Sequence, residues 1–295
     1  MERREFIKKA TVAGIAGLGA LNGVAGMNVA TAETAASEII VAHGGEPEAL
    51  LKAGLEAYGG LKKIVKPGMT VVIKANFSWV GPPEQGCNNN PDLLVALIKA
   101  CQTAGAKKVR VVDIPIQPAQ MCLEKSGIRK AVQQAGGEIV VLDHGSPMTE
   151  KDVGELGLFK ICNEALKAEC LINVPILKHH RVTEMTGALK NMMGLSPFRG
   201  KMHGFGIHQT IADLAKAIKP DLHIIDAYRV LKTNGPAGPG ETALLKQLII
   251  TNDPVAGDTY GASLLGVEVP YIKLAAKGGL GVDDLKKIKV TKVKA

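Results

Sequence analysis

Aromatic residues are scarce: Phe, Tyr and Trp together make up 3% of the 295 residues, with one tryptophan. Sugar-binding and single-stranded nucleic-acid surfaces are built on flat π faces against which rings or bases stack. A chain this poor in such faces is expected to bind no nucleic acid, despite its formal charge of +8. Cysteine is sparse as well. Cys87, Cys101, Cys122, Cys162 and Cys170 are odd in number and include no C-x-x-C pair. That argues against a complete disulfide framework, and no iron–sulfur cluster of the chain's own is expected, because the ligand spacing is missing. Buried thiols are the expected use of these residues. Beyond the N-terminus no apolar run is long enough to span a bilayer. Internal repeats are absent, and the Gly/Pro-rich "GPPEQGCNNNP" and "TNGPAGPGE" lack the length of domain linkers.

The N-terminus carries "MERREFIKKA", then the weakly apolar "TVAGIAGLGALNGVAG", then Ala30-Thr31-Ala32 as a small-residue cleavage site. The arrangement resembles a twin-arginine export signal, with Arg3 and Arg4 in place, Glu2 where Ser or Thr is usual and Ile7 where Leu is usual. It implies the twin-arginine machinery as a partner, cleavage after residue 32 and a periplasmic or otherwise extracytoplasmic mature protein. A retained membrane anchor is the alternative. Losing residues 1–32 removes four basic and two acidic residues, leaving 8 − 4 + 2 = +6. That excess suits an anionic small molecule or surface, and equally a solvated lysine-rich face.

From residue 38 onward, apolar runs of four to six residues alternate with helical patterns. "EIIVAHG", "MTVVIKANF", "KKVRVVDI", "EIVVLDHG", the run at 171–177, "LHIIDA" and "LKQLIITND" read as strands. "EPEALLKAGLEAYGG", "NPDLLVALIKACQTAG", "IRKAVQQAGG", "TIADLAKAI" and "PVAGDTYGASLLG" read as helices. The alternation predicts an α/β fold over residues 33–295: one domain, a mostly parallel sheet with helices on both faces. Polar residues follow each apolar run: Lys74 and Asn76, Asp113, Asp143 and His144, Lys178 to His180, Asp226, Asn252 and Asp253. In an open α/β sheet ligands bind beyond the carboxyl ends of the strands, so these residues predict a site there.

"VVIKANFSW", "NNNPDLLVALIKA", "VRVVDI", "INVPILKHHRVTEMTGALKNMMG", "HQTIADLAKAIKPDLHIIDA" and "TNDPVAGD" occur in the order they take in domain-of-unknown-function family 362, which residues 38–265 resemble. The most specific part is a Lys-His pair followed by Thr-Gly-x-x-Lys-Asn-x-x-Gly. Some members of that family add ferredoxin-type cysteine clusters; this chain does not. A slighter similarity is to lactate racemase, which places a His ten residues before a Lys that holds its cofactor, as His180 precedes Lys190 here.

The residues of 178–191 also speak for themselves. Read as a helix over 183–193 capped by Thr183, they put Met185, Leu189 and Met192 on one stripe and Gly187, Lys190 and Gly194 on another. Thr186 and the free N–H groups of such a first turn would favour an anion close to Gly187. Lys178 and Lys190 offer charge to a carboxylate or phosphate, or a nucleophilic amine when desolvated. His179 and His180 suit proton transfer, with Asp113. These four, His179, His180, Lys190 and Asp113, are the candidate catalytic residues. Lys74, Asn76, Lys178, Thr186, Asn191, Arg199 and His208 are the candidate ligand-binding residues. His208 and Asp226 are the candidate ligands for a divalent metal, with Asp213 and Asp258 as further carboxylates. Two functions remain open: an exported enzyme performing acid–base or covalent chemistry on a small anionic ligand, or a non-catalytic accessory protein with an iron–sulfur or other redox partner.

Overall fold

The computed structural model describes residues 37–295; the N-terminal segment read as an export signal lies outside them. β1 (Glu38–His43) leads into α1 (Pro47–Tyr58), and β2 (Thr70–Lys74) leads into α2 (Pro91–Ala104). Both helices open with a proline, where the missing N–H would have had no helical partner anyway. Each ends on a left-handed glycine, Gly59 at φ 93° and Gly105 at φ 112°. Asn90 caps α2 by accepting from Asp92 N at 2.8 Å. Next come β3 (Lys108–Asp113), α3 (Ala119–Lys125), α4 (Ile128–Gln134) and β4 (Glu138–Val141). The separate hairpin β5 (Met148–Asp152) and β6 (Leu158–Cys162) precedes α5 (Asn163–Leu166). The central segment forms β7 (Cys170–Asn173), β8 (Ile176–His180), β9 (Glu184–Thr186), α6 (Ala188–Asn191), α7 (Arg199–Gly204) and α8 (Ile207–Ala217). Last come β10 (Leu222–Leu231), β11 (Thr242–Thr251), α9 (Pro254–Leu265), α10 (Pro270–Lys277) and β12 (Lys289–Lys294).

The strands order as β12-β1-β11-β10-β7-β2-β3-β4, with β8 against β10 and β9 against β8. Pairing is parallel except where β11 meets β1 and β10 and where β9 meets β8. The mostly parallel α/β sheet is therefore the fold. Alternate strand residues enter two cores. Ile39, Val41, Val72 and Ile225 pack with α8, α9 and α10; Ile40, Val71, Ile73 and Ile224 pack with α1, α2 and α4. Burial on both faces explains why the strands read as continuous apolar runs.

Three local expectations are corrected. The run at 171–177 is two strands, because Pro175 cannot donate to a ladder. Lys178, His179 and His180 consequently lie within β8 rather than beyond a strand end. Residues 184–186 are not helical but form β9, with Lys178 opposite Thr186 and His180 opposite Glu184. The pairing partner supplied by β8 overrides the helical spacing, and Met185, Leu189 and Met192 are buried all the same. Finally, β10 does not stop at Ala227 but runs on to Leu231, with a bulge between Ala227 and Arg229.

Candidate functional site

Lys74 ends β2 and Asp113 ends β3, and because these strands pair in parallel the two side chains emerge together. Lys74 Nζ lies 2.9 Å from Asp113 Oδ1, with 0% and 1% of the side chains exposed. The ammonium also donates to Ala75 O at 2.6 Å and Asn191 Oδ1 at 3.2 Å. Three donors meet three acceptors, which is what a buried cation requires. Burial pushes the Lys74 amine down, and the Asp113 carboxylate opposes it. Asp113 Oδ2 accepts from Phe77 N at 2.9 Å and Ser78 Oγ at 2.8 Å. Gly194 crosses directly over the pair: a Cβ there would stand 2.5 Å from Asp113 Oδ1 and 2.8 Å from Lys74 Nζ.

Asn191 ties α6 to this edge. Its amide nitrogen donates to Lys74 O at 3.1 Å and Asn173 Oδ1 at 2.8 Å, and Asn173 Nδ2 donates to Ala188 O at 2.9 Å. Lys178 Nζ reaches across from β8 to Asn76 Oδ1 at 3.3 Å and to the Cys87 carbonyl. Burial, reinforced by Lys190 and Lys74, lowers the Lys178 amine to about 7.

The N-terminus of α6 is already occupied. Asp258 of α9 accepts from Ala188 N at 2.5 Å and Leu189 N at 3.0 Å, in the space that Gly187 leaves free. The anion expected beside Gly187 is thus the protein's own carboxylate, whose pKa burial raises to about 7. Lys190, one turn on, points elsewhere. It lines a cleft of about 550 Å³ and makes no ion pair or hydrogen bond among the described residues. Burial, then Arg199, lowers it to about 8. Arg199 enters from α7, donating to Ile114 O at 2.8 Å and Pro115 O at 3.3 Å.

The two histidines have fixed tautomers. His179 Nδ1 accepts from Gly235 N at 3.0 Å, and His180 Nδ1 accepts from Val182 N at 3.2 Å and Thr183 N at 3.3 Å. A backbone N–H can only donate, so each neutral ring carries its proton on Nε2. Burial, then Lys190 and Lys178, drives His180 down to about 2.

The cleft brings together Asn76, Asp113, Lys178, His179, His180, Thr186, Lys190, Asn191 and Arg199. Lys74 lies beneath it, under Gly194. Asp226 does not line it: in mid-β10 it accepts from Asn90 N at 2.8 Å and Asn89 Nδ2 at 3.2 Å, facing a separate pocket of about 300 Å³. His208 stacks on Tyr271 with centroids 6.2 Å apart, and its Nδ1 has no partner. His208 and Asp226 share no cavity, and among the described residues no three His, Cys, Asp or Glu gather as metal ligands. Asp253 caps α9 through Ala256 N at 2.9 Å, at the opposite edge, because β11 is antiparallel. Asp143 holds the turn after β4. Sequence reasoning missed Ser78, Trp79 and the loop from Asn234 to Gly238, all of which line the cleft. "NFSW" directly follows Lys74 and was a usable signal; the loop arrives through the β10–β11 connection and had none.

A mostly parallel sheet with a neutralised Lys–Asp pair under unpaired cations makes this an α/β protein with a cationic cleft at its carboxyl edge. The chain belongs to the family described as Domain of unknown function (DUF362), whose profile matches residues 71–263. It is 31% identical over 211 residues to a thylakoid-associated protein of Synechocystis sp., covering 67% of this chain and 64% of that relative. Among solved structures, the lactate racemase apoprotein of Thermoanaerobacterium thermosaccharolyticum aligns at 14% identity and a TM-score of 0.45, over 76% of this chain and 56% of its own. A protein of Thermotoga maritima aligns at 12% and 0.43, over 79% and 60%. Among the described residues no helix is long and apolar enough to cross a membrane.

Proposed function

We propose that this is an exported protein whose cleft binds a small carboxylate or phosphorylated compound and acts on it through Lys190. Charge balance carries the reading. Among the described residues the one carboxylate lining the cleft, Asp113, is neutralised by Lys74, while Lys178, Lys190 and Arg199 face the same space with no further carboxylate there. An anion is the missing partner, and it would relieve the repulsion among these cations. With its amine lowered to about 8, Lys190 is partly unprotonated near neutral pH and suited to attack a carbonyl or accept a proton. Arg199 and the Nε2–H groups of His179 and His180 would hold the oxygens.

The test is calorimetric titration with phosphate and with malonate. Lys190→Ala and Arg199→Ala should each weaken binding about tenfold or more, as expected for a lost charge-assisted hydrogen bond. Unchanged affinity in both variants would sink the proposal. A second reading, a binding or accessory protein serving a redox system, is favoured by the histidines: rings whose Nδ1 is held by backbone N–H groups donate hydrogen bonds but shuttle protons poorly. Borohydride reduction in the presence of a 2-oxo acid separates the two. A mass adduct at Lys190, or exchange of the acid's C3 hydrogen with solvent deuterium that Lys190→Ala abolishes, supports the enzyme; absence of both beside intact binding supports the accessory protein. Export rests on the N-terminal pattern, and the Synechocystis relative's thylakoid association is compatible with it. Changing Arg3 and Arg4 to Lys should leave unprocessed precursor in the cytoplasm, whereas mature protein still beginning at Met1 outside it would refute cleavage.

A further inference from the structure

The cleft has two chemically different ends. Its depth holds the buried Lys178, 1% exposed, with Lys190 and Arg199 beside it. Its mouth carries apolar side chains that the fold leaves in water: Ile116, 52% exposed, from the loop after β3, and Val182, 46% exposed, from the β8–β9 turn. Trp79, the only tryptophan of the chain, lines the same cleft. Turn tips favour Gly, Asn, Asp and Ser, and Val182 is none of these. Arg181 and Asn234 share the rim, so it is mixed rather than greasy. Size adds a second argument. About 550 Å³ is in the range of sites that enclose drug-sized molecules and far exceeds what an inorganic oxyanion fills.

We infer that the cleft is built for an amphipathic anion: a carboxylate or phosphate head on Lys178, Lys190 and Arg199, with an apolar group against Ile116, Val182 and Trp79. This rests on the anion-binding reading above and specifies the substrate class of the same site. Three loops that are distant in sequence, those after β2 and β3 and the β8–β9 turn, converge to supply the apolar contacts, which is how a pocket selects for a ligand's body while its charges fix the head.

Trp79 supplies the readout, because its fluorescence reports the cleft directly. Inorganic phosphate, phenyl phosphate and hexyl phosphate are titrated against the full chain. The expected result is that both organic phosphates bind about tenfold or more tightly than inorganic phosphate, the effect of removing a few methylene or ring groups from water. Ile116→Ser and Val182→Ser should each shrink that ratio, while Leu158→Ser, a 71% exposed position outside the cleft, should leave it unchanged. Equal affinity for all three phosphates would overturn the inference and leave simple anion binding standing. No response to any of them would overturn the anion-binding reading itself. Binding to vesicles of anionic phospholipid, with no response to hexyl phosphate, would overturn the small-ligand assignment in favour of a membrane surface.

Discussion

Lys74 and Asp113 set the charge of the cleft from below, out of contact with solvent. Removing one member of such a buried pair leaves an uncompensated charge, which typically costs about 3–5 kcal/mol. Lys74→Met is therefore expected to lower the urea-unfolding free energy by about that amount, and to weaken phosphate binding as well, because Asp113 then repels the ligand. A loss of stability under about 1 kcal/mol would contradict the description of the pair as fully desolvated. Met192, 1% exposed, has no such chemistry; Met192→Ala should cost about 2–5 kcal/mol through lost packing alone, again read by urea unfolding. At this scale the sequence was informative where a polar residue ends a parallel strand, as Lys74 and Asp113 do. It misled where the strand continues, as at Asp226, or runs the other way, as at Asp253. Neither strand length nor direction is written in the residue itself.

Helix α6 is four residues long, too short to be stable alone. It is held by Asp258 at its start and by Asn191 at its end, and it presents Lys190 between them. Gly187 adopts an extended backbone that any residue can take, φ −151° and ψ −157°, so its absence of a side chain matters only because the Asp258 carboxylate fills that space. Gly187→Ala should destabilise the fold by about 1–3 kcal/mol through overpacking. In the double variant with Asp258→Ala the two losses should be less than additive, measured by chemical denaturation as a double-mutant cycle. Strict additivity would show that they do not share the space. The helical period over 183–193 suggested one longer helix and an open N-terminus, because the stripe of Met185, Leu189 and Met192 satisfies that period. Its burial was legible. The backbone that achieves it was settled by β8 offering a hydrogen-bonding edge.

Over the whole molecule, the lowered amines make stability depend on pH, and the proposed anion binding would depend on it through the same groups. Lys178 at about 7 and Lys190 at about 8 lie below their unfolded value of 10.5. Between those values the unfolded chain binds more protons, so their contribution to stability rises as pH increases from about 7 to about 10.5. Below about 7 both are charged in either state, and their mutual repulsion is fully present. A bound anion reverses the balance by favouring the charged amines. Sulfate, whose own charge does not change in this window, should therefore raise the Tm more at pH 6.5 than at pH 9.5, and Lys190→Ala should flatten that difference. An equal shift at both pH values would contradict the placement of these amines against the ligand.

By itself the sequence determined the class of fold and the sheet edge at which the cleft opens. Apolar runs alternating with helical periods leave few arrangements besides a two-faced, mostly parallel sheet, and such a sheet puts its ligands at the carboxyl edge. The capped ends of α1 and α2 were equally local matters of Pro, Asn and Gly. Only the tertiary structure decided which polar residues meet. It excluded Asp226, Asp253 and His208 from the cleft, gave the α6 N-terminus to Asp258, and brought in Trp79, Ile116 and the Asn234–Gly238 loop. The physical reason is that a residue's type and backbone preference act over a few neighbours, whereas a site is assembled by strand direction, register and loop closure across the whole chain.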